Sequence, residues 1–122
     1  MCVVASEPLQ DLDLRGTSLR ERPELRERPE LGADSLTLVR CDLSGADLRG
    51  LDLHGWQFHD CNLDEARLNG ASLDSACFKG GSAQRASFLD CDLAGARFEM
   101  VDATGAYFAN SLMSGLSHSK AA

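Results

Sequence analysis

Residues 41–55 read CDLSGADLRGLDLHG. Leu43, Leu48 and Leu53 recur at every fifth place, with Cys41, Ala46 and Leu51 two places before them, and Gly45, Gly50 and Gly55 close each group. An α-helix repeats its buried face every ~3.6 residues and a strand every ~2, so a period of five is neither alone. It fits a short extended piece followed by a corner. Residues two apart point the same way in extended chain, which turns Cys41 and Leu43 inward and Asp42 outward. Ser44 and Gly45 then turn the chain, and Ala46 begins the next piece.

The register runs on without interruption to 115. The larger inward residues are Leu43, Leu48, Leu53, Phe58, Leu63, Leu68, Leu73, Phe78, Ala83, Phe88, Leu93, Phe98, Ala103, Phe108 and Met113, and none is polar. All five phenylalanines of the protein fall on it. The places two before are mostly small, with Trp56 as an exception read as packing. A second period lies over the first. Leu38, Phe58, Phe78 and Phe98 are twenty apart, as are Ala46, Ala66, Ala86 and Ala106. Four pentapeptides then make one square coil, and like residues stack about 4.8 Å apart. Repeats of this kind build a solenoid whose core is shared between neighbouring turns. The expected fold is all-β, a quadrilateral β-helix of nearly five coils.

Two further repeats, Leu12–Gly16 and Thr17–Glu21, lie off this register, and nine residues, 22–30, are left over. The hexapeptide RERPEL occurs there twice, at 20–25 and 26–31. Its prolines and alternating charges oppose a regular strand, so a loop is expected to leave one corner and return. With it removed, Leu14 aligns with Leu43, Leu19 with Leu48, Ala33 with Leu53 and Leu38 with Phe58. The organisation read from the sequence is an N-terminal cap at 1–11, two repeats at 12–21, a loop at 22–30 carrying Arg22, Glu24, Arg26, Glu27 and Arg28, the main β-helix at 31–115, and a flexible tail at 116–122. An open solenoid end presents unpaired backbone. Outward apolar residues, Leu89, Met100, Tyr107 and Leu112, gather near the C-terminal coil with Met113, and a homodimer through that end is expected.

The chain has 122 residues, 43% of them hydrophobic, and a formal charge of −7. That is enough for one small domain with a core. No apolar run approaches the roughly 18 residues of a membrane-spanning helix. The start, MCVVASEPLQ, lacks the basic and apolar regions of a signal peptide. Binding of nucleic acid or anionic membrane needs clustered Lys and Arg, which the negative balance opposes. Five cysteines without a CxxC pair argue for neither a zinc site nor a disulfide framework, and for a reducing, cytoplasmic setting.

No catalytic, cofactor or metal site is expected. His59, Asp60 and Cys61 read like a dyad, but Cys61 points inward. His54 and His59 should diverge around a corner. Cys41 and Cys61 are read as small buried thiols, and Cys77, between inward Ala76 and Phe78, as exposed and inert. The thinned column at Gly80, Gly81, Ala83 and Ala103 suggests a local bend or dent. The side centred on 43, 63, 83 and 103 carries Asp42, Asp64 and Asp102, and that centred on 53, 73, 93 and 113 carries Asp52, Asp74 and Asp92, with no Lys or Arg on either flat. These six aspartates are the candidate partner-binding residues, suited to a basic partner.

The stretches CDLSG, ADLRG, CNLDE, ARLNG and CDLAG resemble the pentapeptide-repeat family, with its A(D/N)LXX consensus. The resemblance implies a right-handed quadrilateral β-helix. It also implies a protein-interaction module rather than an enzyme. Some members resemble B-form DNA in size and charge, bind DNA gyrase and topoisomerase IV, and give quinolone resistance; others occur among secreted bacterial effectors. This chain is short for the DNA-mimic group and lacks its C-terminal dimerisation helix. From residue 41 onward it holds eleven acids and six bases, a thin charge beside the one per ~1.7 Å of duplex DNA.

Overall fold

A computed structural model of the protein describes residues 9–18, 36–111 and 117–119. Among the described residues, six short strands pair in parallel in chain order: β1 (Leu9–Gln10), β2 (Thr37–Val39), β3 (Gln57–His59), β4 (Cys77–Lys79), β5 (Arg97–Glu99) and β6 (Ser117–Ser119). Leu38, Phe58, Phe78, Phe98 and His118 stand in one column, twenty residues apart. Single-residue bridges repeat that step on three other sides: Asp42 through Asn62 and Ser82 to Asp102, Asp47 through Arg67 and Ser87 to Tyr107, and Asp52 through Ser72 to Asp92. Four such rungs in each twenty residues make a four-sided parallel β-helix.

At the N-terminal end the offset changes. Leu9 lies beside Leu38, Asp13 beside Asp42 and Ser18 beside Asp47, each twenty-nine residues on. One full coil and nine further residues therefore separate these partners. The loop expected at 22–30, with Arg22, Glu24, Arg26, Glu27 and Arg28, lies outside the described residues. Both ends differ from the sequence reading. Leu9 and Gln10, assigned to a cap, form the first rung, and Ser117–Ser119, assigned to a flexible tail, pair with β5. The backbone ladder extends wherever the register continues, even where the column holds a histidine that no apolar pattern would mark.

The period of five has its cause at the corners. The amide of Ala46 donates to the carbonyl of Leu43 at 2.9 Å, and Ala66, Ala71, Ala76, Ala96 and Ala106 donate in the same way at 3.0 Å to Leu63, Leu68, Leu73, Leu93 and Ala103. Each bond closes a four-residue turn whose third residue has positive φ, among them Gly45 at 67°, Glu65 at 60° and Ser75 at 63°. A type II turn requires this. One residue in five must therefore be left-handed, which glycine adopts freely and other residues only at about 1–2 kcal/mol.

Gly81 is a separate case: it holds the register place that is inward in other repeats, yet it is exposed, with φ of 82°. A Cβ there would lie 2.2 Å from the carbonyl oxygen of Cys61. The expected thinning of this column is thus a close approach of two coils. Gly70 has positive φ but open space around it. Gly70→Ala is expected to cost about 1 kcal/mol by backbone strain alone, and Gly81→Ala about 2–3 kcal/mol by strain and overpacking. Urea melts of the two variants check the ordering; equal losses would show that the coils separate at Cys61 without penalty.

The core is a set of stacked columns. Leu14, Leu38, Leu43, Leu48, Leu53, Phe58, Leu63, Leu68, Leu73, Phe78, Phe88, Leu93 and Phe98 are closed to solvent. Phe58, Phe78 and Phe98 stack face to face at 4.7 and 4.6 Å, and Phe88 stacks on Phe108 at 5.0 Å. The two stacks meet edge to face at 5.8–5.9 Å. The edge-to-face contacts suit the quadrupole of the ring. Phe108, at the last described coil of its side, is only partly buried. Trp56 is buried and tilts against Phe58 at 6.2 Å.

Candidate interaction surface

The residue just before each inward centre faces outward, and where it is Asp or Asn it holds the corner in place. One carboxylate oxygen of Asp42 accepts the amide of Ser44 at 3.0 Å. Asp47 does this for Arg49 at 3.1 Å, Asp52 for His54 at 3.2 Å, Asp92 for Ala94 at 3.1 Å and Asp102 for Thr104 at 3.1 Å. Asn62 accepts the amide of Asp64 at 2.9 Å. These are Asx turns, in which the short side chain replaces a backbone acceptor.

Serine is too short for this task, and the coil beneath supplies the acceptor. Above Ser82, the amide of Gln84 donates to Asp64 at 2.8 Å, and Ser82 Oγ donates to the same oxygen. Above Ser87, the amide of Leu89 donates to Asn69 at 3.1 Å, and Ser87 Oγ donates to it at 2.5 Å. Asp64 is therefore a cap for the next coil as well as a surface charge. Asp74 accepts from His54 Nδ1 at 2.5 Å, a bond that runs between coils on one side.

The six candidate aspartates are not one continuous ladder. Asp42 and Asp102 share a column, but Asn62 and Ser82 lie between them; Asp52 and Asp92 share another, with Ser72 between. At about 4.8 Å per rung, like charges stand roughly 14 Å and 10 Å apart. Asp64 and Asp74 lie one place after the inward centres, in separate outward columns. Among the described residues of the Asp52–Asp92 side, no Lys or Arg appears on the flat. On the opposite side, Arg15 pairs with Asp13 at 2.8 Å and approaches Asp42 at 3.8 Å. Elsewhere Arg49 pairs with Asp47 at 2.9 Å, Arg85 with Glu65 at 3.6 Å and Arg97 with Glu99 at 3.1 Å. Arg15 apart, these bases pair at the corners and on the other two sides.

At Asp47 and Asp102 the hydrogen bonds favour the ionised carboxylate. Hydrogen bonds from the Arg49 guanidinium hold Asp47 far below the usual carboxylate range, and the Thr104 hydroxyl and Gln84 amide lower Asp102. A carboxyl depressed in the folded state stabilises above its unfolded value, about 3.9, and that contribution is lost as pH falls through the folded value. The melting temperature is therefore expected to fall below about pH 4. Asp47→Asn should remove part of that acid sensitivity while keeping an acceptor for the Arg49 amide; unchanged slopes in melts at pH 3–7 would contradict this origin.

The other sequence-marked residues separate. The Cys61 thiol lies within hydrogen-bonding distance of the carbonyls of Leu38 at 3.3 Å and His59 at 3.6 Å, while the His59 ring bonds Gln57 at 3.0 Å, so thiol and imidazole form no pair. Its hydrogen bond with Cys41, together with burial, pushes the Cys61 thiol up. Among the described residues no group of three or more His, Cys, Asp or Glu is arranged to hold a metal ion. His54 and His59 bond to different neighbours, Asp74 and Gln57. Leu89 is half-buried, Met100 and Tyr107 are exposed, and Leu112 and Met113 lie outside the described residues. Cys77 corrects the sequence reading. It is 3% exposed and held in a disulfide; the repeat pattern gives only the inward or outward direction of a side chain and carries no information on either. Asp47 escaped notice because the side it caps also carries arginines.

The description of a pentapeptide repeat region matches residues 35–108. The fold resembles that of a trypsin-treated form of QnrB1, a plasmid-mediated fluoroquinolone resistance protein, with a TM-score of 0.73 at 20% identity over 92% of this chain and 52% of that one. It resembles HetL, a pentapeptide repeat protein involved in heterocyst differentiation regulation from the cyanobacterium Nostoc sp. strain PCC 7120, with a TM-score of 0.72 at 25% identity over 91% of this chain and 48% of that one. The chain thus spans about half the length of each. Among curated protein sequences none matches it closely enough to count as a relative.

Proposed function

The chain belongs to the pentapeptide-repeat family, and from that premise we propose that it is a non-enzymatic binding module which engages a basic protein surface through its two opposite acidic sides. The observation that carries this reading is the placement of Asp52, Asp74 and Asp92 on one flat and Asp42, Asp64 and Asp102 on the other, with the bases paired mainly at corners and on the remaining sides. The core fills the interior, so recognition falls to the outer faces. Complementary charge steers encounter and fixes register, with a strength that falls as salt rises.

The test is affinity capture from a bacterial lysate at low and high salt, with the protein and with its Asp42→Asn, Asp52→Asn, Asp92→Asn, Asp102→Asn variant. A protein retained by the first at low salt and by neither at high salt nor by the variant supports the reading. Equal retention by both rejects it.

A type II topoisomerase is the second reading for the partner. It is supported by the family's DNA-mimic members and by the acidic flats, and its test is gyrase supercoiling titrated with the protein, with and without a quinolone. Inhibition or drug protection favours it, and no effect from a folded protein removes it. End-to-end pairing through the coil that carries Tyr107 and Phe108 belongs to the same proposal, and a solution mass of one chain would exclude it.

A further inference from the structure

Cys41 and Cys61 are neighbours in one column. The bridge between Asp42 and Asn62 sets their coils in register, so the cysteines one place before stand on adjacent rungs, about 4.8 Å apart at Cα. That lies within the ordinary Cα span of a disulfide, roughly 4.4–6.8 Å. Both are buried thiols, and they hydrogen-bond to each other. That bond lowers the Cys41 thiol and raises that of Cys61, so Cys41 is the readier nucleophile while Cys61 keeps its proton. Their covers differ as well. The Gly81 backbone presses on Cys61, since a Cβ at Gly81 would fall 2.2 Å from the Cys61 carbonyl oxygen. On the other side of Cys41 stands Leu12, whose carbonyl accepts the Asp42 amide at 2.9 Å and which is only half-buried. Cys91 gives the contrast: it is also a buried thiol, but its column neighbours are Ala71 and Ser111.

We propose that Cys41 and Cys61 are a peroxide-responsive thiol pair, Cys41 attacking and Cys61 resolving, which closes to a disulfide between two neighbouring coils. The Cys41 thiolate attacks one oxygen of hydrogen peroxide. The O–O bond breaks, Cys41 becomes a sulfenic acid, and hydroxide leaves to take up the proton that Cys41 gave up. The Cys61 sulfur then attacks the Cys41 sulfur. The S–S bond forms, the S–O bond breaks, and the hydroxyl leaves as water with the Cys61 proton. Two thiols and one peroxide give one disulfide and two waters. Peroxide is little larger than water, which suits a thiol covered by one half-buried side chain. In a parallel stack the Cβ atoms also stay about 4.8 Å apart, wider than the roughly 3.5–4.5 Å of an unstrained disulfide. The bond is therefore strained and readily returned to thiols by a dithiol. Closed, it ties the Asp42 coil to the Asn62 coil, on the side that also carries Asp64 and Asp102.

The experiment exposes the folded full chain to a small excess of hydrogen peroxide, quenches it, denatures it and alkylates the remaining thiols. Cys41 and Cys61 are expected to lose alkylation together, while Cys91 labels as before. A digest should yield a peptide pair linked through Cys41 and Cys61, and dithiothreitol should restore both thiols. Cys61→Ala removes the resolving sulfur and puts at its place the residue that Ala66, Ala71 and Ala76 supply in other repeats. In that variant dimedone should tag Cys41 as a sulfenic acid, and in Cys41→Ala it should leave Cys61 untagged. The digest of the unaltered chain decides the matter where a variant fails to fold. Undiminished alkylation of Cys41 and Cys61 overturns the proposal. So does a link from either to another cysteine, a link that forms only in urea, or a loss at Cys91 equal to that at Cys41.

Discussion

Phe78→Ala is expected to lower the stability of the rod by about 4 kcal/mol, within the usual cost of truncating a buried phenylalanine. The ring is 1% exposed. It lies between Phe58 at 4.7 Å and Phe98 at 4.6 Å and meets the edge of Phe88 at 5.9 Å. Removing it takes contacts from three neighbours at once, and the coils above and below are held by backbone bonds such as Cys77 N to Trp56 O at 2.9 Å and Arg97 N to Ala76 O at 2.9 Å. That ladder limits collapse into the gap, so the site should stay at the costly end of a cavity series. Folded proteins have only about 5–15 kcal/mol in reserve. Thermal and urea melts should show a large loss, and a change under about 1 kcal/mol would mean that the rings do not form a packed column.

The inward pattern was legible because a solenoid is quasi-one-dimensional. Once Leu43, Leu48 and Leu53 fix the step, each later column follows by counting, and no long-range topology needs to be guessed. The offset at Asp13 and Ser18 was legible for the same reason. Counting failed where side chains stop marking the register. His118 stands above Phe98, yet nothing in its chemistry announces a column. The closure of Cys77 was hidden because the repeat specifies only direction, inward or outward.

The candidate surface was legible in charge and illegible in purpose. Asp42, Asp52, Asp92 and Asp102 were marked as acids facing out, but their oxygens first serve the backbone at the corners. That role depends on geometry at one peptide plane, which a list of charges does not contain. Asn62 reveals it within the same chain, since a neutral amide oxygen makes the same bond. Asp64 and Asn69 reveal its extension, by capping the coil above where that coil has only serine.

Each of these aspartates therefore carries two separable jobs, an acceptor for the turn and a charge for a partner. The most direct measurement is a pair of thermal melts on two fourfold variants at Asp42, Asp52, Asp92 and Asp102. With all four changed to Asn, the acceptors remain, and stability should stay within about 1 kcal/mol of the parent. With all four changed to Ala, four backbone hydrogen bonds lose their acceptors, at roughly 0.5–1.5 kcal/mol each. The Ala variant should then melt at least ~10 °C below the Asn variant. If the two melt together, the carboxylates hold no corner and the account is wrong.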